Sequence, residues 1–164
     1  MEDCGIACIA SILKHYNGYI SSEKLRSMLK TTTNGTTAYH MREVLNRVGF
    51  NSKVFSCNKM YDEYRNIQLP VIAYILIDNT YYHYVVIYKI TNKHITIMDP
   101  IYGYKNYNLD KFEKIWTGIL ITCDKVAIEI VNDKKTSMLK FIIKIFKTHK
   151  YSVIKITLLS FIFM

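Results

Sequence analysis

Cys4, His83 and Asp99 are the residues of this chain whose types and placement could together do chemistry. A thiol becomes a working nucleophile under three conditions. Its thiolate must be stabilised, an imidazole must take or share its proton, and a third group must fix the imidazole's tautomer. Cys4 stands just ahead of Ile6, Ile9, Ala10, Ile12 and Leu13, an apolar stripe at helical spacing. It is therefore expected at a helix N-terminus, where the helix dipole and free N–H groups favour S⁻. Gly5 and Ala7 beside it are read as leaving room for a substrate backbone.

Five histidines could supply the base. His15 lies near the end of the first helix and is expected in solvent. His40 is helical and expected at or near the surface, His94 begins a strand, and His149 is in the C-terminal tail. His83 opens the strand "HYVVIY" behind a hairpin, so its ring is expected at a sheet rim facing a helix start. Asp99 ends the next strand, "HITIMDP". Folding about Asn92-Lys93 brings the beginning of one strand beside the end of the other, and with them His83 and Asp99.

Each residue also has a bland reading. A cysteine is commonly a small core residue, a strand histidine is commonly satisfied within the fold, and Asp-Pro is a common turn. Spacing alone leaves both readings open. Cys4 and Cys8, at i and i+4, could share a metal. Cys57 and Cys123 are isolated and have no histidine at ligand spacing, so neither a metal nor another cofactor is expected.

The elements that must position these residues follow from periodicity. The first helix ends near Asn17-Gly18. Residues 21–30 read as a second short helix with a serine cap, "TTTNGTT" as a loop, and 37–48 as a third helix capped by Thr36 or Thr37 and closed by Gly49. The grammar then changes. "NSKVFS" alternates, "LPVIAYILID" is a strand behind a proline, and Asn79-Thr80 turns into "YYHYVVIYKI". After "HITIMDP" come a short helix, "NLDKFEKIWTG", and a strand, "ILITC". Helices first and a strand meander afterwards predict an α+β fold, helices packed on an antiparallel sheet.

The net charge of +9 would suggest nucleic acid if it lay on a folded face. It does not. Residues 1–133 carry 15 Lys and Arg against 13 Asp and Glu, whereas 134–164 carry seven lysines and no acid. That tail is also strongly apolar, so a membrane surface is the expected partner rather than a phosphate backbone. Its last stretch, Tyr151 to Met164, falls short of the ~20 apolar residues that span a bilayer. Residues 131–164 are read as a basic linker and the start of a transmembrane helix that the end of the chain cuts off, with 1–130 as the folded domain. "MEDCG" is no signal peptide, and the cysteines form no CxxC pair, so a reduced, cytoplasmic setting is expected.

Five ordered blocks carry a resemblance: "DCGIACIASILKHYNG", "GTTAYHMREVLNRVGF", "LPVIAYILIDNTYYHYVVI", "ITIMDPIYG" and "LDKFEKIWTGILI". Across roughly residues 2–123 the chain resembles the C39 peptidase domain. This is the papain-like cysteine protease fused to the N-terminus of bacteriocin-exporting ABC transporters. The resemblance implies a papain-like fold and a peptidase that cuts precursor peptides after a Gly-Gly leader, on the cytoplasmic side of the bacterial membrane. Cys4 would be the nucleophile, His83 the general base and Asp99 the residue orienting the imidazole. The leader would dock as an amphipathic helix on a hydrophobic patch.

The family also carries a glutamine shortly before the cysteine, which helps bind the oxyanion. Only Met1, Glu2 and Asp3 precede Cys4 here, and the one glutamine, Gln68, lies beside Leu69-Pro70. With so short an N-terminal segment, the first helix is also expected to be poorly pinned. The resemblance accordingly admits a non-cleaving leader-binding module, or an inactive fragment truncated at both ends, beside the peptidase. No G-x-x-x-x-G-K-[ST] loop occurs, so any ATPase would belong to another chain or segment.

Overall fold

The computed structural model describes residues 3–29, 35–57, 67–78 and 80–126, with Val131, Asp133, Ile143, Lys147, Thr148, Lys150 and Tyr151. The chain forms two compact units, Met1–Asp133 and Lys134–Met164. In the second unit, Ile143, Lys147, Thr148, Lys150 and Tyr151 are helical. Most of the expected membrane segment lies outside the described residues. Among the described residues no helix is long and apolar enough to cross a membrane.

Three helices open the first unit: α1 (Cys4–His15), α2 (Ser22–Leu29) and α3 (Ala38–Arg47). Side-chain oxygens cap two of them. The Lys24 N–H donates to Ser21 Oγ at 3.3 Å and the His40 N–H to Thr37 Oγ1 at 3.2 Å, so Thr37 and not Thr36 is the cap. Asn17 takes a positive φ of 61° just after α1, as the expected turn there requires.

Among the described residues eight strands follow: β1 (Phe50–Asn51), β2 (Val54–Ser56), β3 (Val71–Ile77), β4 (Tyr81–Ile90), β5 (His94–Asp99), β6 (Gly103–Asn108), β7 (Trp116–Ile121) and β8 (Asp124–Lys125). Helix α4 (Leu109–Ile115) lies between β6 and β7. Six strands make one antiparallel sheet in the order β2-β7-β3-β4-β5-β6, and β1 pairs with β8 apart from it. Helices α1 to α3 bury Ile9, Ile12, Leu25, Leu29, Met41 and Leu45 with Ile72 and Val86 of the sheet. On a second cluster, Phe112 of α4 packs with Val85, Ile87 and Ile97. Because strands β3 and β4 contribute to both clusters, they read as continuous apolar runs and not as alternation.

Four readings of the sequence need correction. "NSKVFS" is not one alternating strand; it splits into parts of β1 and β2, and all three residues of β2 are exposed. The segment "GYKNYN" has no aliphatic signal and still forms edge strand β6, with one-sided burial of Lys105 and Tyr107. Strand β7 begins at Trp116, so Trp116, Thr117 and Gly118 belong to the sheet and not to the helix before it. Strand β8, a two-residue bridge to β1, had no signal long enough to read.

Candidate active site

Cys4 is the first residue of α1, and the first intrahelical bond runs from the Ala7 N–H to Asp3 O at 2.9 Å. The amides of Cys4, Gly5 and Ile6 therefore precede that ladder, the polar end to which a thiolate is attracted. Helix α1 is fixed against β4 further along. Tyr88 Oη donates to Ser11 O at 3.1 Å and lies 2.8 Å from Ser11 Oγ. The start of α1 is also held, contrary to expectation. Asp3 pairs with Arg26 of α2, and Gly5 is buried against the segment that leads into α3. A Cβ on Gly5 would fall 2.5 Å from Thr36 Cγ2 and 3.2 Å from Met41 Sδ. The small residue beside Cys4 thus admits this neighbouring segment rather than a substrate backbone.

His83 is the third residue of β4, opposite Ile75, and is fully buried rather than standing at an open rim. Its Nε2 lies 3.1 Å from Asp99 Oδ1, and Asp99 is also buried. The same oxygen accepts from the Ile101 N–H at 2.8 Å and the Tyr102 N–H at 3.3 Å. Asp99 therefore holds the turn into β6 as well as the imidazole. With donors converging on Oδ1, Nε2 carries the proton of the neutral ring and Nδ1 keeps its lone pair.

Nδ1 is buried and makes no hydrogen bond of ordinary geometry, which leaves it the free nitrogen of a ring whose electrostatic neighbours are the Cys4 thiol and Asp99. Burial pushes the thiol up, yet its hydrogen bonding with His83, backbone bonds from Tyr84 and Gly5, and the imidazole's charge outweigh that and lower its pKa. For His83, burial pulls down, while Cys4 and Asp99 outweigh it and raise the pKa. The two proton affinities converge, the condition for a thiol and an imidazole to share one proton. Cys8 and Cys123 behave oppositely: both are buried, and burial holds their pKa values up.

The remaining sequence candidates are elsewhere. His15 and His94 are exposed and His40 is half-buried, while His149 lies outside the described residues. Gln68 is exposed and lies near Tyr16, about 18 Å along the α1 axis from Cys4. It cannot serve an oxyanion at Cys4. Among the described residues no group of three or more His, Cys, Asp or Glu side chains is placed to hold a metal. Sequence reasoning missed Tyr81, whose ring stacks on His83 at 6.0 Å between centroids with planes 25° apart. Its position two residues before His83 on one strand was the available signal.

The sequence profile of the peptidase C39 family matches residues 1–128. The chain belongs to the peptidase C39 family. Peptidase domains of the C39 family are cysteine peptidases, and this chain is 38% identical over 120 residues to the lactococcin-G-processing and transport ATP-binding protein LagD of Lactococcus lactis. That match covers 73% of this chain and 17% of LagD. The pediocin PA-1 transport/processing ATP-binding protein PedD of Pediococcus acidilactici is 31% identical, covering 73% of this chain and 17% of PedD. The chain therefore spans about a sixth of the length of these relatives.

Among solved structures, the peptidase domain of Streptococcus ComA, a bi-functional ABC transporter, superposes with a TM-score of 0.69 at 30% identity. It covers 76% of this chain and 92% of that one. A double glycine motif protease from an AMS/PCAT transporter, in complex with its leader peptide, shares the fold with a TM-score of 0.70 at 21% identity, covering 77% and 86%. The expected arrangement of N-terminal helices on an antiparallel sheet is thus the C39 peptidase fold.

Proposed function

We propose that the chain is a cysteine endopeptidase that cuts precursor peptides after a double-glycine leader, with Cys4 as nucleophile, His83 as base and acid, and Asp99 as the residue orienting the imidazole. The observation that carries this reading is the buried pair in which Asp99 binds Nε2 of His83, with Cys4 at the start of α1 acting on the same imidazole. Nδ1 takes the thiol proton as Sγ attacks the scissile carbonyl carbon. The C–N bond then breaks, and Nδ1 returns its proton to the leaving amine. Water attacks the resulting thioester, losing a proton to Nδ1, and the restored thiol leaves a free carboxyl end on the leader. The Cys4 N–H, ahead of the hydrogen-bond ladder of α1, would donate to the developing oxyanion.

Tyrosines beside Cys4 account for the preference for glycine. Tyr74 stacks on Tyr82 at 5.2 Å and packs on Tyr84 at 4.5 Å, and Tyr74, Tyr84 and Cys4 belong to one packed apolar cluster. Such a wall admits a bare backbone more readily than a side chain, which is selection by exclusion. The names of the relatives, processing and transport ATP-binding proteins, support an ABC transporter as the partner that receives the product. The seven lysines of 134–164, with no acid, support attachment of the tail to the cytoplasmic face of a bacterial membrane.

The test is to incubate the full chain, and its Cys4→Ala variant, with a synthetic leader peptide running through a Gly-Gly pair. Mass spectrometry should find cutting after the second glycine by the parent and none by the variant. Binding by both without cutting would replace this reading with a docking module.

A further inference from the structure

We propose that Tyr81 is a substrate-binding residue of this site, its phenol hydroxyl hydrogen-bonding the backbone of the peptide bound beside Cys4 while its ring rests on His83. The proposal rests on the peptidase reading above. Tyr81 opens β4, opposite Ile77, and is half-buried. Its Oη is shielded from solvent and has no hydrogen-bond partner among the described residues.

A buried hydroxyl left unpaired is costly, and phenylalanine would give the same stacking on the imidazole without that penalty. The ring alone therefore does not explain a tyrosine here. A polar partner that arrives with the substrate does, and an extended peptide brings carbonyl and N–H groups at regular intervals. The stacking of its ring on His83 also places Tyr81 at the chemistry. Burial, then charge on Cys4, Tyr102 and Asp99, act to raise its pKa, so at neutral pH the phenol keeps its proton and can donate. Its neighbours in that respect are the nucleophile, the orienting carboxylate and an exposed tyrosine of the turn that Asp99 holds.

Two peptides separate this role from a structural one. One is a leader continuing several residues past a Gly-Gly pair; the other ends several residues before the pair. Their dissociation constants are measured for the full chain carrying Cys4→Ala, with and without Tyr81→Phe. The expected result is a roughly three- to tenfold weaker hold on the spanning peptide in the Tyr81→Phe background, the factor one neutral hydrogen bond supports. The shorter peptide should bind equally to both.

Equal affinity for the spanning peptide overturns the proposal, and so does an equal loss for both peptides, which would mark damage to the fold. Cleavage by the parent chain is followed in parallel. If the parent cuts and Tyr81→Phe changes nothing, Tyr81 alone is excluded. If the parent cuts nothing and Cys4→Ala binds neither peptide, the peptidase reading falls with it.

Discussion

His83 and Asp99 share a face of the sheet because Tyr88 is bulged out of the ladder between β4 and β5. The two-residue turn at Asn92-Lys93 sets Ile90 opposite Ile95 and Lys89 opposite Thr96. Continued without interruption, that register would bring Asp99 opposite Val86, on the other face from His83. Instead Ile87 pairs with Ile97 and Val86 with Met98, leaving Tyr88 without a partner in β5. Asp99 then stands beside Val85, diagonal to His83 on the same face, and the 3.1 Å contact follows. The bulged tyrosine is also the one whose hydroxyl binds Ser11 of α1. One irregular residue thus aligns the acid with the imidazole and ties down the helix that carries the thiol.

Asp99→Asn tests the tautomer argument. An amide nitrogen turned toward Nε2 would favour the ring form with its proton on Nδ1, facing the thiol, where it cannot act as a base. Cleavage should fall by about 10²- to 10⁴-fold. Oδ1 alone meets the imidazole and the Ile101 and Tyr102 N–H groups, so an amide nitrogen in its place also gives up the turn, and thermal unfolding should fall together with cleavage in Asp99→Asn as in Asp99→Ala. Full activity in Asp99→Asn would remove Asp99 from the mechanism.

The sharing of one proton between Cys4 and His83 predicts a bell-shaped pH dependence of kcat/KM. Activity should rise as the pair loses its first proton and fall as it loses the second, the two steps belonging to the pair. Iodoacetamide should alkylate Cys4 with a midpoint below the ~8.5 of an ordinary cysteine. In His83→Ala the downward influences of the imidazole are gone and burial remains, so the midpoint should move up. Peptide mapping should find Cys8 and Cys123 unmodified in the folded protein. A midpoint that ignores His83→Ala would contradict the pairing.

Gly5→Ala should destabilise, against the usual rule for helices. In an open helix the change gains about 1 kcal/mol. Here the new Cβ meets Thr36 Cγ2 and Met41 Sδ, and overpacking of that kind costs about 1–3 kcal/mol. The melting temperature should therefore drop, and cleavage should drop with it because α3's leading segment presses on the residue next to Cys4. A rise in stability would show that the segment yields freely.

Gly118→Ala should cost about 2–4 kcal/mol, since it adds both a positive-φ penalty and a clash. Gly118 has φ 86°, and a Cβ there would stand 2.6 Å from the Cys57 carbonyl oxygen. The Cys57 N–H donates to Gly118 O at 2.9 Å, so the substitution attacks the join between the end of β2 and β7. Chemical denaturation with an unchanged m-value would measure it.

The sequence by itself determined the elements whose signals are local. Helical stripes, hydroxyl caps and the long apolar runs of β3 and β4 are written in neighbouring residues, because helix and strand periods act over a few positions. So are Cys4's place at a helix start and the hairpin at Asn92-Lys93, and five blocks in order were enough for the family. Strands β6 and β8 were not legible, because an edge strand rich in tyrosine and asparagine and a two-residue bridge gain their pairing only from the partner strand.

Only the tertiary structure decided the face on which Asp99 lies, since a bulge depends on packing across β4 and β5 and a one-residue slip turns every side chain over. The same holds for Gly5. From the sequence it is merely small; what its missing Cβ makes room for is the segment leading into α3, a neighbour more than thirty positions away in the chain. And Tyr81, which its i, i+2 spacing from His83 only places on the same face, becomes a candidate through a stacked ring and an unpaired hydroxyl, properties of the assembled site.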